Sequence, residues 1–253
     1  YSPEAENFSL EAVDAKMADG DVDWEEQIII DSSFKNHRRL KSVYNKFKNG
    51  NNSITQYLQN FEPEFSTAHL ELRTDNNFGI NYPDNVTAGA ITSEPVNYLI
   101  KVTFNTDPNL TSSAQNFPSI ILAVEFIHEM IHAEIYRKLL SHAQKPEIPW
   151  TRSFINSLRN DFPGLADYYT RYWLELPLDQ QPTSAQHQQM AQHYIDTMKE
   201  ALADFDNNQH TSTFYEALAW IGLKNTAAWH SLGDQQDSIN QIIQNAIQNE
   251  PYN

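Results

Sequence analysis

The sequence predicts an α+β fold, with a small β-sheet over one long central helix and a mainly helical C-terminal half. Three observations predict it. His69–Arg73 and the longer run Val96, Tyr98, Ile100, Val102 and Phe104 alternate apolar and polar side chains with the two-residue period of half-buried strands. Past Pro118 the period becomes helical, in Ile120, Ala123, Val124, Ile127 and Ile131, and no later stretch reads as a strand. A chain of 253 residues that is 40% hydrophobic and 12% aromatic, with only 7 Gly and 12 Pro, builds a packed core and is neither disordered nor collagen-like.

Taken in order, residues 1–30 carry nine acids (Glu4, Glu6, Glu11, Asp14, Asp19, Asp21, Asp23, Glu25, Glu26) against Lys16, the pattern of a solvated acidic arm or linker. Residues 31–149 form an α/β half. It opens with a helix over 35–48, whose apolar stripe is Leu40, Val43, Tyr44 and Phe47 and whose bases (Lys35, Arg38, Arg39, Lys41, Lys46, Lys48) read as a solvated face complementary to the arm. A loop rich in Asn, Asp, Pro and Gly, from Asp75 to Asn85, separates the two strands, and Asp107-Pro108-Asn109 closes the second. Residues 150–253 form the helical half, with helices expected around Phe154, Ile155 and Leu158, from Ser184 to Phe205, from Thr213 to Leu223, and through Ile239, Ile242, Ile243 and Ile247.

A formal net charge of −16 argues against a nucleic-acid backbone or an anionic bilayer as the main partner. The longest apolar stretch near a motif, Ile120–Val124, is far short of the ~20 residues of a membrane span. With no Cys, thiol nucleophiles, disulfides and Cys-held metals are excluded, so any metal falls to His, Asp or Glu, and the compartment stays open. The chain begins at Tyr1, which reads as a mature or excised piece of a longer precursor, with an exported protein somewhat favoured.

The central helix carries His128-Glu129-Met130-Ile131-His132, an H-E-x-x-H motif. Residues i and i+4 share a helix face, so both imidazoles can reach one ion while Glu129, about 100° away, stands beside the water that the ion activates. This is the arrangement of zinc hydrolysis, in which the ion acidifies a water and the carboxylate takes its proton. Two unliganded histidines and a glutamate on a helix flanked by apolar residues would be costly, which supports a metal there.

A catalytic zinc needs a third protein ligand. The metzincin extension is excluded, because Ile135 and Lys138 stand where it requires Gly and His. His142, His187, His193, His210, Glu216 and His230 remain. The stripe Met190, Ala191, Tyr194, Met198, Leu202, Phe205 extends backward onto His187, which therefore points inward, whereas His193 falls among polar positions. Glu216 shares a face with Trp220 and Leu223 and is the second candidate, as ligand or as the partner of a ligand's ring nitrogen. Tyr194 is either core or a donor to an oxyanion. Glu125 and Glu134 flank the motif and read as a salt link and a supporting contact.

At His128-Glu-Met-Ile-His-Ala133 the sequence resembles the zincin metallopeptidases, and the Ala after the second His with a distant third ligand is similar to their SprT-like branch. The resemblance implies a zincin-like fold with His128 and His132 as zinc ligands and Glu129 as general base. It also implies peptide or protein substrates bound extended along the sheet's edge strand, in this chain Tyr98 to Asn105. The expected activity is zinc-dependent peptide hydrolysis. Two rival expectations are a zinc amidase acting on a non-protein amide, and a non-catalytic module whose structural zinc is closed by both His187 and Glu216.

Overall fold

The computed structural model describes residues 28–62, 68–93, 95–96, 99–143, 187, 190–191 and 193–252. The acidic arm as far as residue 27, and the helix expected around Phe154, Ile155 and Leu158, lie outside them. Within them the fold is α+β, a four-stranded sheet followed by a helical C-terminal half.

The strands are β1 (Ile28–Ile30), β2 (His69–Asp75), β3 (Ala90–Thr92) and β4 (Leu99–Asn105), in the spatial order β1-β2-β4-β3. β1, β2 and β4 run parallel, with Leu70 opposite Ile100 and Leu72 opposite Val102, and β3 is antiparallel to β4, with Thr92 opposite Val102. This corrects two expectations. The strand ending at Asn105 is interior, not the edge, and from Val102 to Asn105 every side chain is buried, as in a strand covered on both faces. The edge beside it is β3. Residues 28–30, counted with the acidic arm, are instead strand β1 of the sheet. The loop from Asp75 to Asn85 contains a short helix, α4 below, that buries Phe78.

Between β1 and β2 lie α1 (Ser32–Asn36), α2 (Arg38–Lys48) and α3 (Ser53–Gln59). Local chemistry sets their starts: Asp31 accepts from the Ser33 N–H at 2.8 Å, His37 Nδ1 accepts from the Leu40 N–H, and Asn52 and Thr55 form a reciprocal capping box. The expected stripe of α2 is buried, while Lys35, Arg38, Lys41, Lys46 and Lys48 are exposed. α4 (Phe78–Asn81) precedes β3.

The central helix, α5 (Ser119–Ala143), begins directly after Pro118, whose carbonyl accepts from Ile121 and Leu122. From Ile120 to Tyr136 all its side chains except Glu125 are buried, so this helix is enclosed on every side rather than amphipathic. Among the described residues no helix is long and apolar enough to cross a membrane.

An aromatic column fixes its position. Phe104 of β4 lies 6.0 Å from Phe126 of α5, Phe126 stacks at 5.4 Å on Phe47 of α2, and Phe47 stacks at 5.3 Å on Phe205. Phe126 is fully buried and joins sheet, first half and second half. Phe126→Ala is therefore expected to cost about 3–5 kcal/mol in chemical denaturation, and a loss below about 1 kcal/mol would show that the column does not hold the halves together.

The second half contains α6 (Ile195–Phe205), α7 (Ser212–Ala219), α8 (Ala227–Ser231) and α9 (Gln235–Asn249). The helix expected from Ser184 to Phe205 is distorted at Tyr194, a turn residue with φ −117° and ψ −2°, although its N–H still donates to Met190 and its carbonyl accepts from Met198; His187, Met190, Ala191 and His193 are helical before it.

Candidate metal centre

One face of α5 presents His128, Glu129 and His132, because residues three and four apart stack one turn above another. His187 meets them from the helical residues ahead of α6. His128 Nε2 lies 3.1 Å from His132 Nε2 and 3.1 Å from His187 Nε2, and one ligand atom from each of the three rings lies within 4.8 Å of the others. His128 and His132 are buried and His187 is partly so.

Hydrogen bonding cannot satisfy both contacts of His128 Nε2. A ring nitrogen has one N–H or one lone pair, so His128 Nε2 can engage one of its two neighbours at 3.1 Å and must leave the other against it unbonded. A cation at the common focus takes all three lone pairs. Ligand nitrogens of a tetrahedral zinc, each about 2.1 Å from the ion, stand about 3.4 Å apart, close to the spacing here. The protonation state agrees: burial, reinforced by the neighbouring rings, holds His128 well below its usual pKa, and burial lowers His187 to about 4. The His128 and His187 rings are neutral at neutral pH, the form that binds metal. These residues fit a divalent metal ion.

Glu129 is buried beside them. Thr92 of β3 donates its hydroxyl to Glu129 Oε2 at 2.5 Å. Burial pushes the Glu129 carboxyl up to about 8, with the Glu125 charge adding to it and the Thr92 hydrogen bond opposing it. Glu125, one turn earlier, is pushed up to about 7 by burial. A divalent cation in the cluster would act oppositely on both, through attraction of opposite charges.

These groups face a cavity of about 640 Å³, bounded on one side by β3 and the residues before it and on the other by the turn from Ile221 to Asn225. Gly222 in that turn has φ +81°, and a Cβ added there would stand 2.9 Å from His128 Cε1. The His128 ring thus packs directly on the Gly222 backbone.

The other sequence candidates fall elsewhere. Glu216 is exposed on α7 and takes no place in the cluster, which removes the arrangement with both His187 and Glu216 as ligands. The helix carrying it ends at Ala219, so the phase that joined it to Trp220 and Leu223 does not persist. Tyr194 is half-buried and is not among the described residues lining the cavity. Tyr136, one turn past His132, is a buried tyrosine among the described residues lining the cavity. His193 and His230 are exposed, as the polar neighbours of His193 imply. His210 bonds Asp206 at 2.7 Å and Glu250 at 3.2 Å, and the side chain of His142 lies outside the described residues. Glu134 holds Arg137 at 2.7 Å and Asn60 at 3.1 Å, the salt-linked support expected of a flanking acid. Glu125 makes no such link among the described residues.

Sequence reasoning did not find Thr92 or Gly222. Thr92 sits in a three-residue strand with no periodic signal, and only the tertiary approach of His128 marks Gly222.

Metal-free stability should report His187. A histidine whose folded pKa is depressed to about 4 from 6.5 contributes stability that is complete above 6.5 and lost as pH falls toward 4, because the unfolded chain binds the proton first. Glu125 and Glu129, raised in the folded state, contribute in the opposite sense. The difference between wild type and His187→Gln isolates the histidine: in chelator-treated protein the wild type should lose more melting temperature than the variant between pH 7.5 and 4.5. Parallel curves would contradict the burial of a neutral ring.

Comparison of the chain with protein-family models, curated proteins and solved structures returned no match.

Proposed function

We propose that this chain is a zinc-dependent metallopeptidase of zincin-like fold, similar to the SprT-like branch, that hydrolyses peptide bonds. The observation that carries the reading is the set of three convergent imidazoles beside a carboxylate, in a cavity bordered by an edge strand. His128, His132 and His187 hold the ion through their Nε2 atoms. When bound, zinc supplies a Lewis acid that polarises a peptide carbonyl and lowers the pKa of a water. Glu129 accepts the proton from the attacking water and returns it to the departing amide nitrogen. Thr92 fixes Glu129 Oε2 and leaves Oε1 for the proton. Among the described residues β3 pairs with β4 on one side and with no other strand, and its outer edge is the one that would receive an extended peptide by backbone hydrogen bonds. The substrate is a peptide or protein, with neither nucleic acid nor membrane as partner.

The test is metal removal and return. Chelator-treated protein should cleave no member of a diverse peptide pool read by mass spectrometry, and stoichiometric zinc should restore cleavage. Zinc bound at the three histidines without any cleavage would turn the reading toward a binding module.

A further inference from the structure

The cavity holds a second carboxylate that the proposed chemistry does not use. Glu125 precedes His128 by three residues and Glu129 by four, so it shares their helix face and lines the same cavity. It is half-buried, yet it accepts no hydrogen bond and joins no ion pair among the described residues, in contrast to Glu134, which has three polar partners. A half-buried carboxylate is partly stripped of water, and a cation arriving from the cavity recovers that cost.

Two features shape the surroundings of this carboxylate. Gly89 stands where a side chain would collide with the carboxylate: an added Cβ would be 2.8 Å from Glu125 Cδ and 3.0 Å from Oε2. Among the described residues lining the cavity there is no Lys or Arg, and the acids are Glu125 and Glu129. Glu129 is engaged by Thr92, which leaves Glu125 as the anion open to a ligand.

We infer that Glu125 receives a cationic group of the substrate, an ammonium or guanidinium carried close to the scissile bond. Four helical residues rise about 6 Å and an extended peptide advances about 3.3 Å per residue, so the cation belongs within about two residues of the bond that Glu129 serves. Two sources offer this chemistry: a Lys or Arg side chain, and a free amino terminus. The inference rests on the peptidase reading for the position of the cleaved bond, but the binding it describes needs no hydrolysis.

The experiment uses the full chain, zinc-loaded and carrying Glu129→Gln so that peptides are retained. Fluorescence anisotropy follows ten-residue Ala/Ser peptides labelled at the C-terminus. In the first arm the N-terminus is acetylated and one central residue is Lys, Arg, norleucine or citrulline; in the second the sequence is neutral and the amino terminus is free or acetylated. The cationic member of one arm should bind about tenfold or more tightly than its neutral counterpart, and the arm that does so names the source. Adding Glu125→Gln should reduce that preference to less than about twofold. Gly89→Ala, which crowds the carboxylate without removing it, should weaken it as well and serves if the first variant does not fold. Equal affinities throughout, no measurable binding of any peptide, or a preference that survives loss of Glu125 overturns the inference. A cation preference in a protein whose wild type cleaves no peptide would leave the inference standing and remove the peptidase reading; cleavage without a preference would do the reverse.

Discussion

Glu129→Gln should lower peptide hydrolysis by about 10²- to 10⁴-fold, the range lost when a positioned general base is removed, while the protein keeps its zinc and its fold. The amide is isosteric with the acid, and its carbonyl oxygen can still accept from Thr92, which donates to Glu129 in the native chain. Burial pushes the native carboxyl up to about 8, so in metal-free protein at pH 7 the group is already largely protonated and a neutral amide introduces no new cost. Turnover on the peptide pool, zinc content by atomic absorption and a melting curve together check the result. Turnover within threefold of wild type would remove Glu129 from the role of base, and loss of zinc would mean that the substitution had disturbed the histidines instead.

Gly222→Ala should weaken zinc binding about 10- to 100-fold, as loss of a contact that orients a ligand does elsewhere. The added methyl would stand 2.9 Å from His128 Cε1 and 3.2 Å from Nδ1, so the ring must turn away from the other two imidazoles. The backbone adds its own penalty, because φ is +81° and an L side chain there costs roughly 1–2 kcal/mol. Gly233→Ala separates the two effects: φ is +53° and nothing lies within 4 Å of its added Cβ, so it carries the backbone penalty without touching a histidine. Competition with a chromophoric chelator measures affinity and thermal denaturation measures stability. If both variants lose stability and neither loses affinity, the packing of His128 on Gly222 does not set the site.

Much of this site is written in local spacing. The interval between His128 and His132 is one helical turn, and the buried run around it forces that turn to be a helix, so two imidazoles and Glu129 can be placed without knowledge of the rest of the chain. His187 was reached through the stripe of Met190, Ala191 and Met198, and the three histidines converge in the structure although the helix is distorted at Tyr194. Glu216 failed because extrapolated phase holds only while the helix does, and α7 ends three residues after it. The seven-residue strands β2 and β4 are long enough to show a period of two, whereas the three-residue β1 and β3 are not. Whether a strand lies inside a sheet or at its edge depends on what comes to pair with it, so the edge was assigned to the wrong strand. Gly89 and Gly222 carry no pattern at all; their meaning lies in what approaches them.

The histidines that gather at this site are not neighbours along the chain: His187 follows His128 by 59 residues. A bound ion is therefore also a removable cross-link that fastens the second half of the molecule to the first, and metal binding and the closing of one half upon the other become linked equilibria. By reciprocity, whatever loosens the second half, even at Phe205 far from any ligand, must lower the affinity for the ion, and whatever strips the ion must ease the halves apart.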